Sequence, residues 1–135
     1  MNWLYVIVVL VVGFGLYVRL APSDPARWHQ PIKGAQDKDF KGGALRILPG
    51  SGAETFAALD RIIQASPRTS VLAGSLADGE ITYITRSALW GFPDYTTLEL
   101  RKNGVAILGR LRFGRSDLGV NKARIQGWLD ALAQK

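Results

Sequence analysis

Three arginine side chains are predicted on one face of a β-hairpin in the second half of the chain: Arg101, Arg110 and Arg112. If the flanking strands are neighbours, Arg86 and Arg115 lie close to them. Clustered guanidinium groups suit bidentate binding of an anion such as a carboxylate or a phosphate. The alternative is that these arginines pair across the strands with Glu99 and are otherwise solvated.

The loop of residues 89–94 is a second place that could bind a ligand. It carries two large aromatic side chains, Trp90 and Phe92, on either side of a glycine, and it ends at Asp94. Connections usually lie on the surface, so aromatic side chains in one are unusual. In one interpretation they form a recognition surface or dip towards a bilayer. In the other they fold back and cap the open end of the sheet.

Residues 113–121 form the third candidate, a tightly specified turn between the last strand and the last helix. Ser116 or Asp117 can satisfy backbone donors of the turn, and Asn121 can cap the helix. Arg115 and Arg124 are each within reach of pairing with Asp117. A helix N-terminus beside arginines is a candidate anion site, and the alternative is a purely structural joint.

The inventory of reactive side chains argues against most enzyme classes. The chain has no cysteine and one histidine, His29, which excludes a cysteine nucleophile and His-rich metal sites and argues against a Ser-His-Asp triad. We therefore predict no catalytic residue, no metal ligand and no cofactor. The enzymatic alternative is a small hydrolase or transferase that uses Asp94 or Asp117 with the arginines. Such phosphate chemistry usually needs Mg²⁺ held by several carboxylates, and no acidic pair clusters in the sequence.

All of these groups follow an apolar segment at the N-terminus, which determines where the rest of the chain is held. Residues 3–18 carry no charged side chain, and a helix over residues 1–20 would be about 30 Å long, the thickness of the hydrocarbon core of a bilayer. A cleavable signal would need a basic start and small residues before the cut, but Arg19 stands where a small residue is wanted. We predict a retained transmembrane anchor over residues 1–20. Four cations follow it closely, which places the domain in the cytoplasm by the positive-inside rule.

The charge of the chain is strongly basic. It carries 17 Lys and Arg against 11 Asp and Glu, a net charge of +6. This excess suits anionic lipid headgroups or an acidic region of a larger membrane protein complex. The alternative is a solvated basic surface with no dedicated partner. No run of Lys and Arg is longer than two, and a membrane-tethered nucleic-acid binder is rare, so nucleic acid is not the expected partner.

The remaining chain is predicted to form one α+β domain over residues 44–135, after a juxtamembrane linker over residues 21–43. The linker should have little regular structure, with only Trp28 and His29 fixed by packing. Predicted strands cover residues 44–48, 69–75, 80–86, 95–102 and 105–113. One predicted helix begins at a capping box, Ser51 with Glu54, and is closed by Ser66-Pro67. A second predicted helix covers residues 120–134. The order β-α-β-β-β-β-α predicts a small antiparallel sheet with two helices on one face.

The turn Asn103-Gly104 predicts the register of the last hairpin. A two-residue type I′ turn pairs Lys102 with Val105, and therefore Leu100 with Ile107 and Leu98 with Gly109. These pairs share the face that we assign to the core. The opposite face would be polar and would carry Tyr95, Thr97 and Glu99 together with the hairpin arginines.

A resemblance to a known family is carried by three stretches: Gly114-Arg115-Ser116-Asp117-Leu118-Gly119-Val120-Asn121-Lys122-Ala123-Arg124-Ile125, then Thr85-Arg86-Ser87 with Gly91-Phe92-Pro93-Asp94, and Ala21-Pro22-Ser23-Asp24-Pro25-Ala26-Arg27-Trp28-His29. They resemble motifs of the uncharacterised "domain of unknown function 1499" family, in its short, single-anchor proteobacterial type. The resemblance implies a bacterial inner-membrane protein with one domain, and leans towards a periplasmic domain. It implies no activity.

Together these patterns predict a membrane-anchored, non-enzymatic binding or accessory domain that contacts a membrane protein partner, a lipid headgroup or a small anionic ligand. The alternative is the Asp/Arg-dependent hydrolase or transferase, acting on a phosphate-containing substrate at the membrane. The candidate binding residues are Arg86, Trp90, Phe92, Asp94, Arg110, Arg112, Arg115, Asp117 and Asn121.

Overall fold

The computed structural model describes residues 2–134 and begins with one long apolar helix, α1 (Trp3–Leu20). The side chain of Asn2 caps it by accepting a hydrogen bond from the backbone N–H of Leu4 at 3.0 Å. At 1.5 Å per residue it is about 27 Å long. Within residues 2–134 it is the one helix long and apolar enough to cross a membrane. Its length and composition suit a membrane anchor and also suit a signal sequence.

A six-stranded antiparallel sheet follows, in the spatial order β1-β2-β6-β5-β4-β3. The strands are β1 (Lys38–Phe40), β2 (Gly43–Pro49), β3 (Thr69–Ser75), β4 (Glu80–Arg86), β5 (Pro93–Arg101) and β6 (Gly104–Leu111). The sheet confirms the predicted α+β class and the antiparallel arrangement. The edge strand β1 lies within the predicted linker and was not predicted.

Two helices cover one face of the sheet, as predicted: α3 (Ala53–Gln64) and α4 (Val120–Ala133). Phe56, Leu59 and Ile63 recur at helical spacing along α3 and are buried. They meet Ile125 and Trp128 of α4 over the inner face of the sheet, which presents Ile81, Tyr83, Leu98 and Ile107. The predicted core face of the last hairpin is therefore confirmed.

The register of that hairpin differs from the prediction by two residues. Arg101 lies opposite Gly104, and Leu98 lies opposite Ile107 rather than Gly109. The turn residues are thus Lys102 and Asn103. Gly104 belongs to the strand because it pairs with Arg101 and Pro49. The position requires glycine, because its φ is +151° and a Cβ there would lie 2.3 Å from the carbonyl oxygen of Leu48. A shift of two residues keeps every side chain on its predicted face.

The predicted capping box at the start of α3 does not form. The N-cap residue is Gly52, and no side chain caps the helix there. The hydroxyl of Ser51 instead donates to the carbonyl of Leu48 at 2.6 Å and accepts from the N–H of Val105 at 3.0 Å. Ser51 therefore joins β2 to β6, because the end of the hairpin supplies an unpaired backbone donor within its reach.

The predicted linker is structured and covers the opposite face of the sheet. It contains a short helix, α2 (Pro25–Trp28), besides β1. The Trp28 ring stacks on Tyr95 with a centroid distance of 4.1 Å and an interplanar angle of 19°. Ile32 packs with Leu45 and Ala106 in a second, smaller core. Trp28 and His29 are fixed as predicted, the latter by a hydrogen bond of 2.8 Å between its Nδ1 and the hydroxyl of Thr82. The expectation that the linker packs only through these two residues and leaves the polar face otherwise solvated is wrong, because Ile32 also packs there.

Candidate functional site

Most of the predicted site residues meet at one end of the sheet, where β4 and β6 end and β5 begins. We call it the α1 end, because the C-terminal half of α1 rests on it. The ring of Phe92 lies 6.1 Å from that of Phe14 and 6.3 Å from that of Phe113, centroid to centroid. The Phe113 ring also meets Tyr17 edge-on at 6.0 Å. An aromatic cluster therefore joins the apolar helix to the domain.

The loop of residues 87–92 is held from the domain side by Arg86. The Nη1 of Arg86 donates to the carbonyl of Gly91 at 2.9 Å. The hydroxyl of Ser87 accepts from the N–H of Phe92 at 2.9 Å, and the N–H of Ser87 donates to the carbonyl of Phe92 at 3.0 Å. Arg86 is thus a positioning residue for the loop.

The same loop is held from the α1 side by Arg19. Its Nη2 donates to the carbonyl of Leu89 at 2.8 Å, and its Nε donates to the carbonyl of Trp90 at 3.3 Å. A Cβ placed on Gly15 would lie 3.4 Å from the Trp90 ring. Phe92 therefore folds back onto the end of the sheet, whereas Trp90 lies along α1 and keeps 39% of its surface exposed.

A chain of polar contacts joins Asp94, Arg124, Asn121 and Asp117 beneath this loop. Arg124 Nη1 lies 3.1 Å from Asp94 Oδ2 and donates to Asn121 Oδ1 at 3.0 Å. Asn121 Nδ2 donates to Asp117 Oδ2 at 3.0 Å. Asn121 is fully buried, so its amide group is a fixed link between the two carboxylates.

Asp117 satisfies backbone donors of the turn, as predicted, and it caps α4 in place of Asn121. Its carboxylate accepts from the N–H of Gly119 at 2.9 Å and from the N–H of Asn121 at 3.0 Å. Asn121 lies inside the helix and does not cap it. Arg124 pairs with Asp94 and not with Asp117. Arg115 is exposed on the turn and takes part in no ion pair within residues 2–134.

Burial controls the ionisation of Asp94. It raises the pKa of Asp94 above its usual range, which outweighs the lowering effect of Arg124, and the nearby charge of Asp117 raises that pKa further. The cluster borders a small space of about 180 Å³ beside Phe92 and Phe113. Both carboxylates are engaged by fixed donors. Residues 2–134 contain no group of three or more acidic or histidine side chains that could hold a metal ion.

The arginines of the hairpin face donate to the linker that covers them. Arg101 donates to the carbonyls of Ile32 and Gly34, and its Nε lies 2.6 Å from Glu99. Arg112 Nη1 donates to the carbonyl of Pro22 at 2.8 Å and to the Tyr95 hydroxyl at 3.0 Å.

Arg110 is largely buried between the linker and the sheet. It donates to the carbonyl of Trp28 and to the hydroxyl of Thr97, and burial lowers its pKa to about 10. Its hydrogen-bond partners within residues 2–134 are carbonyl and hydroxyl oxygens, so its positive charge is solvated by dipoles of the linker and the sheet.

A cleft of about 490 Å³ opens beside Arg110, between the linker and strands β1 and β2. Its charged lining residues are all cations, and we call it the basic cleft: Arg27, Lys33, Lys38 and Arg110 around Trp28, Phe40, Leu45 and Leu108. The Arg27 guanidinium lies 4.6 Å from the centroid of the Trp28 ring, and that of Arg110 lies at 5.5 Å. The cleft was not predicted, because the composition of residues 21–43 is typical of an irregular linker. The available signal was one tryptophan with three cations within twelve positions.

Comparison with known proteins gives a family. No curated protein matches the sequence. A family model described as "Protein of unknown function (DUF1499)" matches residues 18–132. The match begins in the last turn of α1 and includes the linker, in agreement with the packing of residues 21–43 on the sheet. The chain belongs to the DUF1499 family of proteins of unknown function.

Proposed function

We propose that this protein is a single-pass, membrane-anchored binding domain that holds an anionic group in the basic cleft. The observation that carries the proposal is the composition of the cleft: four cations and one tryptophan line it, two of those cations lie over the tryptophan ring, and no carboxylate is among the lining residues. A phosphate or carboxylate would neutralise this charge, and Arg110 would contribute a guanidinium that is already ordered. Leu45 and Leu108 supply an apolar floor for an organic part of the ligand.

The packing of α1 supports a retained anchor over a cleaved signal. Val18 is fully buried and Ala21 is 7% exposed. Removal of α1 would uncover the cluster of Phe92 and Phe113 and would take away Arg19, which holds the loop of residues 87–92. A cleavable signal has no need of such contacts with the domain that it delivers.

The basic cleft lies next to the point where the anchor ends. The hydroxyl of Ser23, three residues beyond α1, lies 2.6 Å from that of Tyr95. The Tyr95 ring is stacked against Trp28, which lines the cleft. An anionic group carried by a lipid headgroup or by a small solute near the membrane surface would therefore be within reach.

Binding fits the observed carboxylates better than hydrolysis. Asp117 is the cap of α4 and Asp94 is paired with Arg124. These are structural engagements, and neither carboxylate lines the basic cleft. We place the anchor in a bacterial inner membrane with the domain on the periplasmic side, following the family resemblance over the charge count. An alkaline phosphatase fusion after Lys135 tests this placement, because that enzyme folds actively only in the periplasm.

The anion site is tested on the full chain in nanodiscs. Tryptophan is labelled with ¹⁵N, and the indole signal of Trp28 is identified by its loss in Trp28→Phe. Titration with inorganic phosphate in phosphatidylcholine nanodiscs should shift this signal saturably. Exchange of phosphatidylcholine for phosphatidylglycerol should produce the shift without added phosphate if the group comes from a headgroup, and should not if it comes from a solute.

Charge-reversed variants supply the control. Lys33→Glu with Lys38→Glu should weaken phosphate binding roughly tenfold, because each exposed pair contributes up to about 1 kcal/mol. Arg61→Glu with Lys102→Glu changes the net charge equally at exposed positions outside the cleft and should leave the affinity within about twofold. An equal loss in both double variants, or an unmoved Trp28 signal with phosphate and in both lipids, would refute the site.

A further inference from the structure

We propose that the loop of residues 87–92 is a second membrane-contact element, which enters the lipid beside α1 and, with α1, forms a groove for a lipid acyl chain. The inference rests on the proposed function in one respect, that α1 spans the bilayer. It concerns a different surface from the basic cleft and a different ligand chemistry.

The depth of the loop follows from the residues of α1 that it touches. Trp90 packs on Gly15 and Phe92 packs on Phe14. Gly15 precedes Leu20, the last residue of the helix, by five positions, or about 7.5 Å along its axis. If α1 spans the bilayer with Leu20 at the edge of the hydrocarbon, the Trp90 ring lies several ångströms inside that edge, close to the interface that tryptophan favours.

The helix cannot slide outwards to lift the loop into water. The hydrocarbon core is about 30 Å thick, and the whole of α1 spans only about 27 Å. If residues 14–20 stood outside the lipid, residues 3–13 would remain, with a length of about 16 Å. That is roughly half of the required thickness, so the part of α1 that contacts the loop must lie in the membrane.

The backbone carbonyls of the loop are hydrogen-bonded within the protein, as an environment without water requires. Four consecutive carbonyls each accept a hydrogen bond: Leu89 and Trp90 from Arg19, Gly91 from Arg86, and Phe92 from the N–H of Ser87. A loop in water has no need of this, because water satisfies exposed carbonyls. In lipid an unsatisfied carbonyl is costly, and irregular backbone is tolerated only where protein groups satisfy it.

The exposed, uncharged side chains of the loop also indicate a lipid environment. Leu89 is 75% exposed and Trp90 is 39% exposed, on a loop that has no charged residue between Ser87 and Phe92. Between them and α1 runs a groove of about 450 Å³, lined by Val11, Val12, Gly15 and Leu16 from the helix and closed at one end by Arg19. Its apolar walls run towards the middle of the bilayer and its cation stands at the headgroup level. This polarity matches one acyl chain of a phospholipid, with the phosphate near Arg19.

The absence of cysteine from the chain allows a direct test by depth-dependent quenching. Leu89→Cys, Leu76→Cys and Val9→Cys are each labelled with the fluorophore NBD in the full chain, in nanodiscs that contain phosphatidylcholine with a spin label at acyl carbon 5 or 12. Leu76 is the matched control, since it is an exposed leucine in the loop at the opposite end of β4. Val9 reports whether α1 spans the membrane.

The proposal expects strong quenching at Leu89 by the carbon-5 label, weaker quenching there by the carbon-12 label, and no quenching at Leu76. Val9 should be quenched most by the carbon-12 label. If Val9 is quenched and Leu89 behaves like Leu76, the loop is outside the lipid and the inference is overturned while the anchor stands. If Val9 is not quenched, the anchor of the proposed function fails. If NBD at Leu89 is blue-shifted but unquenched with one copy per nanodisc, protein covers the groove, and the acyl-chain assignment is wrong.

Discussion

Arg19 reaches from the last turn of α1 to the carbonyl of Leu89, 70 positions further along the chain, and donates to it at 2.8 Å. The same guanidinium holds the carbonyl of Trp90. A charge at the end of an apolar helix usually serves only to mark the headgroup level. Here it also fixes the nearest loop of the domain against the helix, so that the two are joined by side-chain contacts as well as by the linker.

Arg19→Met should loosen the loop of residues 87–92 and leave the rest of the fold intact. Two charged hydrogen bonds to carbonyls are lost, but they are exposed in the isolated chain, so we expect a loss of about 1 kcal/mol or less. The measurement is hydrogen exchange of the loop amides in detergent. Arg61→Met is the control and should change neither the exchange nor the stability. Unchanged protection of the loop in Arg19→Met would contradict the clamp.

Trp28→Ala should release the linker from the sheet. It removes the stack on the fully buried Tyr95 ring and the aromatic ring over the Arg110 guanidinium. A buried aromatic truncated to alanine costs about 3–5 kcal/mol, and the partial exposure of Trp28 places the expected loss near the lower limit. Urea denaturation measures it. Trp28→Phe keeps a ring on Tyr95 and should lose less than half as much. Equal losses would show that the stack does not hold the linker.

The linker shows where reading the sequence succeeded and where it failed. The strands β3 and β4 agree with the prediction residue by residue, because Pro67 and Asp78-Gly79 mark their ends. The linker gives no such signal. Pro, Asp, Lys and Gly are typical of irregular segments, and only the tertiary fold reveals that Trp28 has Tyr95 as its partner.

The candidate site could be predicted by residue type but not by pairing. Asp94, Asp117 and Asn121 do lie together, and the loop aromatics lie beside them. Spacing alone suggested Asp117 as the partner of Arg124. In the structure Arg124, on α4, pairs with Asp94 on strand β5. The basic cleft could not be predicted from the sequence for the same reason, because Arg110 lies on β6 and the other three cations of the cleft lie in the linker. Long-range contacts of this kind have no local sequence pattern.

Comparison of the wild type with Asp94→Asn should reveal the raised pKa of Asp94 as a difference in unfolding free energy that changes with pH. A carboxyl with a folded pKa above its unfolded value of 3.8 binds more protons in the native state. Its contribution to stability is therefore largest below that value and falls as the pH rises through the folded pKa. Chemical denaturation between pH 3.5 and 7 should show the wild type losing stability relative to Asp94→Asn. A wild type that gains relative stability over this range would mean that Arg124 dominates and that the pKa is lowered.

Asp117→Ala should destabilise the turn into α4 by about 1–3 kcal/mol. It removes a helix cap and leaves the buried Nδ2 of Asn121 without its acceptor. Asp117→Asn retains one acceptor oxygen and should lose about half as much. Thermal unfolding measures both changes. If Asp117→Ala is as stable as the wild type, the carboxylate is not required by the turn, and a role in ligand binding is favoured instead.

Gly15→Leu should push Trp90 away from α1. A Cβ at Gly15 already lies at 3.4 Å from the ring, an ordinary van der Waals contact, so Gly15→Ala should be tolerated. A leucine has no space there and must displace the indole or the helix, and overpacking of this kind typically costs about 1–3 kcal/mol. Gly13→Leu is a matched control on the same helix, because nothing lies within 4 Å of a Cβ at that position. Trp90 fluorescence, recorded with the other tryptophans replaced by phenylalanine, should shift in Gly15→Leu and remain as in the wild type in Gly13→Leu. A shift in both variants would mean that the leucine acts through the helix in general, and an unchanged emission in both would mean that Trp90 does not rest on Gly15.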